Sequence, residues 1–391
     1  MNTIYWLWLS LKRRISTAKA LRLIFFFKSV KAVYEATEKD YKKCTFLTAA
    51  EVVLLTDKRL KKAEEEMDKA IGIGVEIITY DSIYYPEELR FISNPPLLFY
   101  AAGDLKVLQG EGKFCIVGTR DATAYGVSTA MQIAQSLAEG GIAIVSGMAV
   151  GIDTAAHRGA IKSGGKTIAI LGCGIDVDYP AGSGDIKRQI YKNGVIISEF
   201  PFGTPAYGKN FPYRNRVLSA MSLGTLAVEG SLRSGALITA QYALEQGKDV
   251  YALPGNITNP QSAGPNALIR DGAIPVLKVT DILENYIVKY PHLFGISETM
   301  VYRKIKNSTE NVSDTFSVAA ERVKEYEVKP AADNLSAEET AVLKAIGDTK
   351  TNIDEIIVKS GLSVMEVNKC VVKLQLSGKI TEHPGRHYTL K

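Results

Sequence analysis

The residues with the clearest binding chemistry lie between Lys209 and Arg216, where the sequence is Lys-Asn-Phe-Pro-Tyr-Arg-Asn-Arg. These eight residues contain three cations and two aromatic rings. Proteins bind single-stranded DNA with cations that follow the phosphates and aromatic rings that stack on the bases. The segment is therefore a candidate contact for single-stranded DNA. The alternative is a surface turn and helix start whose arginines pair with nearby carboxylates.

Glycine-rich or polar turns follow six predicted strands and would add backbone donors at one edge of a sheet. The turns begin at Gly118, Ser146, Gly172, Ser198, Glu229 and Pro254. Strand-to-helix turns of this kind expose N–H groups at helix N-termini, where phosphates bind. Arg120 is the best single candidate among the side chains, because a guanidinium presents a planar fork of donors to an anion. We expect Lys166, Arg233 and Arg270 near the same edge.

Cofactor and metal chemistry is less well supported by the motifs. The Gly172-Cys173-Gly174 turn lacks the third glycine of a dinucleotide fingerprint, and no GxxxxGK[ST] motif is present. Asp153 and His157 are four residues apart on a predicted helix, the spacing of an acid/base pair or of two metal ligands. No third ligand or nucleophile is near them, which favours a capping role for Asp153 and a local hydrogen bond for His157. We therefore predict no cofactor, no metal and no enzymatic activity.

Alternating strands and helices between residues 113 and 290 would position these turns. The strand candidates are Phe114–Val117, Ile142–Ser146, Thr167–Leu171, Val195–Ser198, Thr225–Val228, Val250–Leu253 and Ile274–Leu277. Strands that are apolar throughout and separated by helices predict a parallel sheet covered on both faces. The fold class is thus α/β, a Rossmann-like doubly wound parallel sheet. Its ligands should bind beyond the carboxyl ends of the strands.

Changes in composition divide the chain into four parts. Residues 1–70 have helical periodicity and predict a SAM-like or reduced helix-hairpin-helix domain, and residues 71–292 form the Rossmann-like domain. Residues 293–334 are polar and predict a linker. Residues 335–391 predict three helices and a hairpin, a winged helix. Its eight basic and seven acidic residues favour a protein-contact or auxiliary role over a grip on duplex DNA.

The bulk properties are compatible with a nucleic-acid partner without requiring one. The formal net charge is +5 in 391 residues, so an anionic ligand would need a local cluster of cations. The four cysteines are scattered and predict buried thiols in a reducing compartment. No apolar run is long enough to span a membrane, and the N-terminus lacks the order of a signal peptide. A cytoplasmic protein is expected.

The motifs as a set resemble the DNA-processing protein A (DprA/Smf) family. The matching pieces lie in the family's order over about 160 residues of the chain. They are Gly118-Thr119-Arg120, the run from Ser146 to Asp153 with Ala156-His157, Gly172-x-Gly174 with Tyr179-Pro180, Ser198-Glu199-x-Pro201, Phe211-Pro-x-Arg-Asn-Arg216, Ser234-Gly-x-Leu-Ile-Thr239-Ala240, and Pro254-Gly255 with the run from Gly264 to Ala273. The N-terminal region is the poorest match.

The resemblance implies a Rossmann-like domain that binds single-stranded DNA in a basic pocket, without ATP or catalysis. It also implies a homodimer that delivers incoming strands to the recombinase RecA during DNA uptake and natural transformation. Phe211 would stack on a base. The DNA contacts implied by motif position are Gly118, Thr119, Arg120, Ser146, Gly147, Lys166, Lys209, Phe211, Arg214, Asn215, Arg216, Ser234 and Gly235.

Two other functions stay open at the level of sequence. The first is a nucleotide or phosphoribosyl hydrolase resembling the LOG family, but its PGGxGT turn is replaced here by Pro254-Gly255-Asn256-Ile257. The second is a duplex-DNA regulator that acts through the winged helix. Release of a free base from nucleoside monophosphates would support the first function. Loss of DNA binding on removal of the winged helix would support the second.

Overall fold

The protein is described by a computed structural model for residues 2–110, 112–290, 335–347, 350–377, 379–383 and 387–390. The chain forms two compact units, which divide after Phe316. The predicted linker at residues 293–334 lies outside the described residues.

Six helices form the N-terminal region. They are α1 (Thr3–Ser10), α2 (Thr17–Phe27), α3 (Val30–Glu35), α4 (Glu38–Lys42), α5 (Ala49–Thr56) and α6 (Lys61–Gly72). A serine or threonine hydroxyl caps the N-terminus of each of the four helices α2 to α5. The buried carboxylate of Glu66 in α6 accepts hydrogen bonds from the Tyr100 hydroxyl at 2.6 Å and the Phe202 N–H at 3.1 Å. These helices therefore pack into the core of the neighbouring sheet, and the domain boundary at residue 70 stays a prediction.

A nine-stranded sheet forms the centre of the first unit. Its strands are β1 (Glu76–Thr79), β2 (Leu98–Gly103), β3 (Lys113–Val117), β4 (Ala143–Ser146), β5 (Thr167–Leu171), β6 (Gly194–Ser198), β7 (Gly224–Ala227), β8 (Asp249–Ala252) and β9 (Ile274–Pro275). The order is β1-β2-β6-β5-β4-β3-β7-β8-β9. The last seven strands of this order are parallel, whereas β1 and β2 add an antiparallel edge. The predicted Rossmann-like sheet is confirmed.

Helices cover both faces of the parallel strands. They are α7 (Ala124–Glu139), α8 (Ile152–Lys162), α9 (Gly184–Asn193), α10 (Asn210–Ala220), α11 (Gly235–Glu245), α12 (Ala263–Arg270) and α13 (Thr280–Lys289). Alternate residues of β3 join different cores: Phe114 and Ile116 pack in the core of α7 and α8, and Cys115 and Val117 in the core of α10. Double-sided burial explains why β3 is apolar from Phe114 to Val117.

The order of the strands creates a crevice at the carboxyl edge. The chain runs from β3 outward through β4, β5 and β6, and then returns to place β7 on the other side of β3. The connections that leave β3 and β7 therefore run in opposite directions. Such a topological switch point is where open α/β sheets bind their ligands.

The second unit has the predicted winged-helix elements. They are α14 (Ala337–Ile346), β10 (Thr351–Asn352), α15 (Ile353–Ser360), α16 (Val364–Leu376), β11 (Ile380–His383) and β12 (His387–Leu390). The three strands pair antiparallel in the order β10-β12-β11. Val342, Ile356, Val367 and Leu374 fill its core. Capping boxes at Ser336 and Ser363 begin α14 and α16.

Across the part of the chain that the structure describes, no helix has both the length and the apolar character needed to cross a membrane. All four cysteines are free and buried, as expected for small apolar packing residues.

Candidate nucleic-acid interface

A cavity of about 320 Å³ lies at the switch point, and we call it the rim pocket. Its walls come from the turns after β3, β4 and β7 and from α10. The structure brings eight of the predicted site residues to this pocket: Gly118, Thr119, Arg120, Phe211, Arg214, Asn215, Ser234 and Gly235. The rim pocket therefore unites segments that are more than 100 residues apart in sequence.

The turn after β3 is held rigidly and leaves Arg120 exposed. The Thr119 N–H donates to the carbonyl of Glu229 at 2.7 Å, which ties this turn to the end of β7. Gly151, at φ 81°, comes so close that an added Cβ would lie 2.5 Å from the Thr119 carbonyl oxygen. Only glycine suits this conformation and this contact. Among the described residues, no carboxylate lies within ion-pair distance of Arg120, so its charge is available to an anion.

Two aromatic rings form a platform beside Arg120. The Phe211 and Tyr179 ring centroids are 5.1 Å apart, and the Arg120 guanidinium lies 4.8 Å from the Phe211 centroid and 5.9 Å from that of Tyr179. A Cβ on Gly172 would stand 2.9 Å from the Phe211 ring, so the residue that follows β5 must be glycine for the ring to lie there. Both rings are half-buried, and a cation beside aromatic faces at the edge of a pocket is the combination that binds a phosphate and its base together.

Arg214 forms the inner wall of the rim pocket instead of contacting solvent. Its side chain is buried, and it donates to the carbonyl of Gly147 at 2.8 Å, to the carbonyl of Ile170 and to the Asn215 amide oxygen at 3.1 Å. A Cβ on Gly147 would stand 2.3 Å from the guanidinium. Burial lowers the pKa of Arg214. Nε and Nη1 of the guanidinium are thus used by the protein, which gives Arg214 a positioning role in the pocket wall, and its predicted DNA contact stays a prediction.

Asp153 provides the negative charge that opposes Arg214 in the interior. Its carboxylate accepts the N–H of Ala149 at 3.3 Å, which closes the turn that leads into α8. Burial raises the pKa of Asp153, and the nearby charge of Arg214 lowers it in part. The two buried charges lie beyond ion-pair distance but within reach of each other's field. Asp153 thus stabilises the turn and Arg214. Its predicted role as a helix cap is wrong, because the N-cap residue of α8 is Gly151 and no side chain accepts a capping hydrogen bond there.

His157 is a core residue with a local hydrogen bond, as the sequence predicted. It is fully buried, and its Nδ1 lies 2.7 Å from the Thr167 hydroxyl. Burial lowers the pKa of His157 to about 3. No group of three or more potential metal-ligating His, Cys, Asp or Glu residues occurs in the described parts of the chain. The Asp153–His157 pair therefore contributes to packing and turn geometry.

The buried His157 makes stability depend on pH. The folded protein holds this side chain neutral, whereas an unfolded chain protonates it below a pKa of about 6.5. Acid therefore favours the unfolded state, and the free energy of unfolding should fall as the pH drops below about 6.5. Urea unfolding should show that the free energy of unfolding falls by about 1 kcal/mol more in wild type than in His157→Gln between about pH 7 and pH 5.5. Equal losses would contradict a buried neutral histidine.

Asn215 and Ser234 fix the last wall of the rim pocket. The Asn215 amide nitrogen donates to the Gly235 carbonyl at 3.1 Å, and the Ser234 hydroxyl accepts the Ala236 N–H at the start of α11. Gly235 is exposed and is the first residue of this helix. Its N–H has no acceptor within the helix and points out at the N-terminal end, where backbone donors bind anions.

Several predicted site residues are not brought to the rim pocket. Lys166 precedes β5, so it lies at the amino edge of the parallel strands, where it pairs with Asp104 at 3.2 Å. Arg216 is buried, pairs with Glu199 at 2.7 Å and stacks on Tyr213. The prediction that Lys166 lies near the rim is therefore wrong. Arg216 agrees with the alternative interpretation of this segment, in which an arginine pairs with a nearby carboxylate.

The remaining candidates differ in how they relate to the pocket. Lys209 is exposed at the start of α10, beside Tyr207 and outside the pocket wall. Ser146 is fully buried, and its hydroxyl donates to the Ile116 carbonyl, so it supports the sheet end. Gly147 lies buried under Arg214.

The predicted position of Arg270 near the rim is wrong. Arg270 ends α12 just before β9, so it lies at the amino edge of the parallel strands, where it pairs with Asp271.

Tyr179 is the site residue that the sequence reasoning missed. Tyr179 belongs to one of the family motifs but is not among the predicted DNA contacts, yet it supplies the second ring of the platform beside Phe211. The available signal was an aromatic residue in the loop that follows the Gly172-Cys173-Gly174 turn, at the same edge as Arg120. Nothing in its spacing from Phe211 reveals that the two rings meet.

Together, the fold and the site define a Rossmann-like protein with an arginine and aromatic pocket at its topological switch point. Residues 76–287 match the sequence profile of the family described as DNA recombination-mediator protein A, and residues 327–386 match that of the DprA winged helix domain. The chain belongs to the DNA recombination-mediator protein A family.

Two curated relatives illustrate this membership. Protein Smf of Escherichia coli (strain K12) is 34% identical over 316 residues, which cover 81% of this chain and 77% of that protein. DNA processing protein DprA of Bacillus subtilis (strain 168) is 38% identical over 211 residues, covering 54% of this chain and 71% of the relative. The predicted resemblance is confirmed.

Two solved structures share the fold. The DNA processing protein A of Streptococcus pneumoniae aligns with a TM-score of 0.64 at 29% identity, covering 72% of this chain and 97% of that chain. The DNA processing protein A of Helicobacter pylori, solved to describe its single-stranded DNA binding mode, aligns with a TM-score of 0.50 at 29% identity over 55% of this chain and 97% of that one.

Proposed function

We propose that this protein binds single-stranded DNA in the rim pocket. The observation that carries the proposal is the placement of the unpaired Arg120 against the Phe211 and Tyr179 rings. Arg120 and the exposed N-terminus of α11 would take the phosphates, and the rings would stack on bases. This combination does not read base edges, so base preference should be weak.

The pocket suits an unpaired strand better than a duplex. Its volume of about 320 Å³ is suited to one or two nucleotide groups and lies between loops. The platform rings are accessible to a base only when the base is not stacked within a helix. Membership of a family of recombination mediators, and the single-stranded DNA binding described for the Helicobacter pylori protein, support the same ligand.

We further propose that the protein acts without catalysis or cofactor as a cytoplasmic homodimer that helps load RecA onto incoming strands in natural transformation. The family relationship supports this role. Its test is RecA filament assembly on single-stranded DNA, followed in the presence of this protein. Assembly should speed up with wild type and less with Arg120→Ala. Equal rates with and without the wild-type protein would contradict the loading role.

The winged helix should be dispensable for binding single strands. Its α16 carries Lys373, but this ammonium lies 2.6 Å from the buried Glu339 of α14, which neutralises it. A chain that ends at Asn334 is therefore expected to keep the single-strand affinity of the full chain within about twofold, since no rim contact is lost. Fluorescence anisotropy with single-stranded and duplex oligonucleotides measures this directly. A folded truncation that binds neither DNA would favour a regulator acting through the winged helix.

A further inference from the structure

A second basic surface lies in the N-terminal helices, away from the rim pocket. A cavity of about 440 Å³ opens between the turn that joins α1 to α2 and the connection from α5 to α6. Six cations line it: Lys12, Arg13, Arg14, Arg59, Lys61 and Lys62. We call this surface the N-terminal basic groove.

The charge of this groove dominates the charge of the whole chain. Residues 12–14 and 57–62 contain seven cations and one carboxylate, a formal charge of +6 against +5 for all 391 residues. Asp57, the one acid, is already paired with Arg59 at 2.8 Å and Lys12 at 3.7 Å. Within the described residues, Arg13, Arg14, Lys61 and Lys62 have no carboxylate within ion-pair distance. A concentration of four unneutralised cations around a cavity attracts a polyanion.

The groove is held in shape by buried contacts. The Lys12 ammonium and the Trp8 indole N–H both donate to the Asp57 carbonyl, at 2.8 and 2.9 Å, and this joins its two walls. Lys58 lies over the rings of Trp8, Tyr34 and Tyr41, and burial lowers its pKa to about 8. The cations therefore stand on a preformed scaffold, so binding would require little reordering of the main chain.

The chemistry of the lining favours phosphates over bases or lipid. Trp8 is 2% exposed, so it offers no face on which a base could stack. The other apolar lining residues are Ala63, which is buried, and Leu11 and Leu54, which are half-buried, whereas membrane-surface sites pair their cations with exposed apolar side chains. Cations on two opposing walls suit a chain of phosphates that runs between them.

One cation of the groove, Arg13, acts electrostatically on a residue of the sheet. The charge of Arg13 acts on the phenol of Tyr100, whose pKa is raised by burial and by its hydrogen bond to Glu66 and lowered by Arg13. Tyr100 pairs with Ser198, the last residue of β6, so it lies at the carboxyl edge of the parallel strands. A nucleic acid held at this edge has a second cluster of cations within the same compact unit.

We propose that the N-terminal basic groove is a second nucleic-acid site, which binds backbone phosphates without stacking and therefore accepts single strands and duplex alike. The choice of nucleic acid as the polyanion rests on the function proposed for the rim pocket. The evidence for the groove comes from residues that are not part of the rim pocket. The two sites should differ in one measurable way, because only the rim pocket selects unpaired bases.

The test compares two triple variants. The groove variant is Arg13→Ala/Arg14→Ala/Lys62→Ala, and the matched control is Lys31→Ala/Lys39→Ala/Lys69→Ala, which removes three exposed cations elsewhere in the N-terminal helical region. The full-length proteins are titrated with a long labelled oligonucleotide, single-stranded and duplex, at several salt concentrations. Loss of three phosphate contacts should flatten the slope of log K against log salt by about 2 for single strands and about 2.7 for duplex. The matched control should keep both wild-type slopes.

The outcomes separate this site from the rim pocket. If the groove variant keeps the wild-type slopes of log K against log salt, the proposal is overturned. A flattened slope in Arg120→Ala would then still support single-strand binding in the rim pocket. A flattened slope in the groove variant alone would support the groove and count against the rim pocket. Vesicles with one phosphatidylserine in five lipids provide the third arm. If the groove variant loses only vesicle binding, the surface contacts membranes and the proposal fails.

Discussion

Arg214→Met is expected to lower the free energy of unfolding by about 3–5 kcal/mol, because it leaves a buried charge and two carbonyls without partners. Asp153 would lose the positive charge that opposes its own in the interior, and the carbonyls of Gly147 and Ile170 would lose their donor. Urea unfolding measures this change as a shift in the midpoint urea concentration, provided that the dependence of the unfolding free energy on urea stays the same. Methionine keeps most of the side-chain volume, so a cavity contributes little.

Two further variants decide whether the buried charge causes that loss. Arg158→Met removes an exposed arginine from α8 and should change stability by less than about 0.5 kcal/mol. Adding Asp153→Asn to Arg214→Met should recover part of the stability, because the uncompensated carboxylate is gone. The contrary result is additivity, in which Asp153→Asn costs as much stability in Arg214→Met as it costs in wild type. That result would show that the two charges act independently.

Phe211→Ala is expected to weaken single-stranded DNA binding by about 1–3 kcal/mol, a factor of about 5–150 in Kd. The loss should come from stacking, since the ring lies against Tyr179 and below Arg120. The salt dependence should therefore stay as in wild type, because no phosphate contact disappears. Fluorescence anisotropy at several salt concentrations gives both quantities.

The position of the ring can be tested without removing it. In Gly172→Ala the new methyl group would stand 2.9 Å from the Phe211 ring and push it from its place, so single-strand affinity should fall in the same direction. Gly110→Ala meets nothing closer than 3.6 Å and serves as the control. Phe91→Ala, at an exposed aromatic outside the rim pocket, is the control for Phe211. Equal affinities for Phe211→Ala and Phe91→Ala would refute the stacking role.

The sequence predicted the sheet well because burial on both faces leaves a clear pattern. The strand at Thr167–Leu171 is apolar but for its first residue and is confirmed to the residue. The predicted strand at Ile274–Leu277 is shorter, since β9 ends at Pro275, which has no N–H to donate to a ladder. The antiparallel edge made by β1 and β2 was not predicted, because pairing direction depends on contacts between distant segments.

The candidate site was predicted in part, and its two kinds of error have different geometric causes. In a helix, residues three or four apart share a face, so Phe211, Arg214 and Asn215 line one pocket, while Tyr213 and Arg216 line another. The sequence predicts one cluster for the whole segment, because a helix start within it is one of two interpretations that the sequence leaves open. Lys166 precedes a parallel strand and must therefore lie at the edge opposite to Arg120.

The central claim is that Arg120 holds a phosphate of an unpaired strand in the rim pocket. The most direct test is the salt dependence of binding to single-stranded and duplex oligonucleotides by wild type, Arg120→Ala and Arg158→Ala, with the last removing an exposed arginine outside the pocket. We expect tighter binding to single strands, and Arg120→Ala should weaken it and flatten the slope of log K against log salt by about 0.7. Arg158→Ala should match wild type. Wild-type affinity and slope in Arg120→Ala, or duplex binding as tight as single-strand binding, would contradict the account.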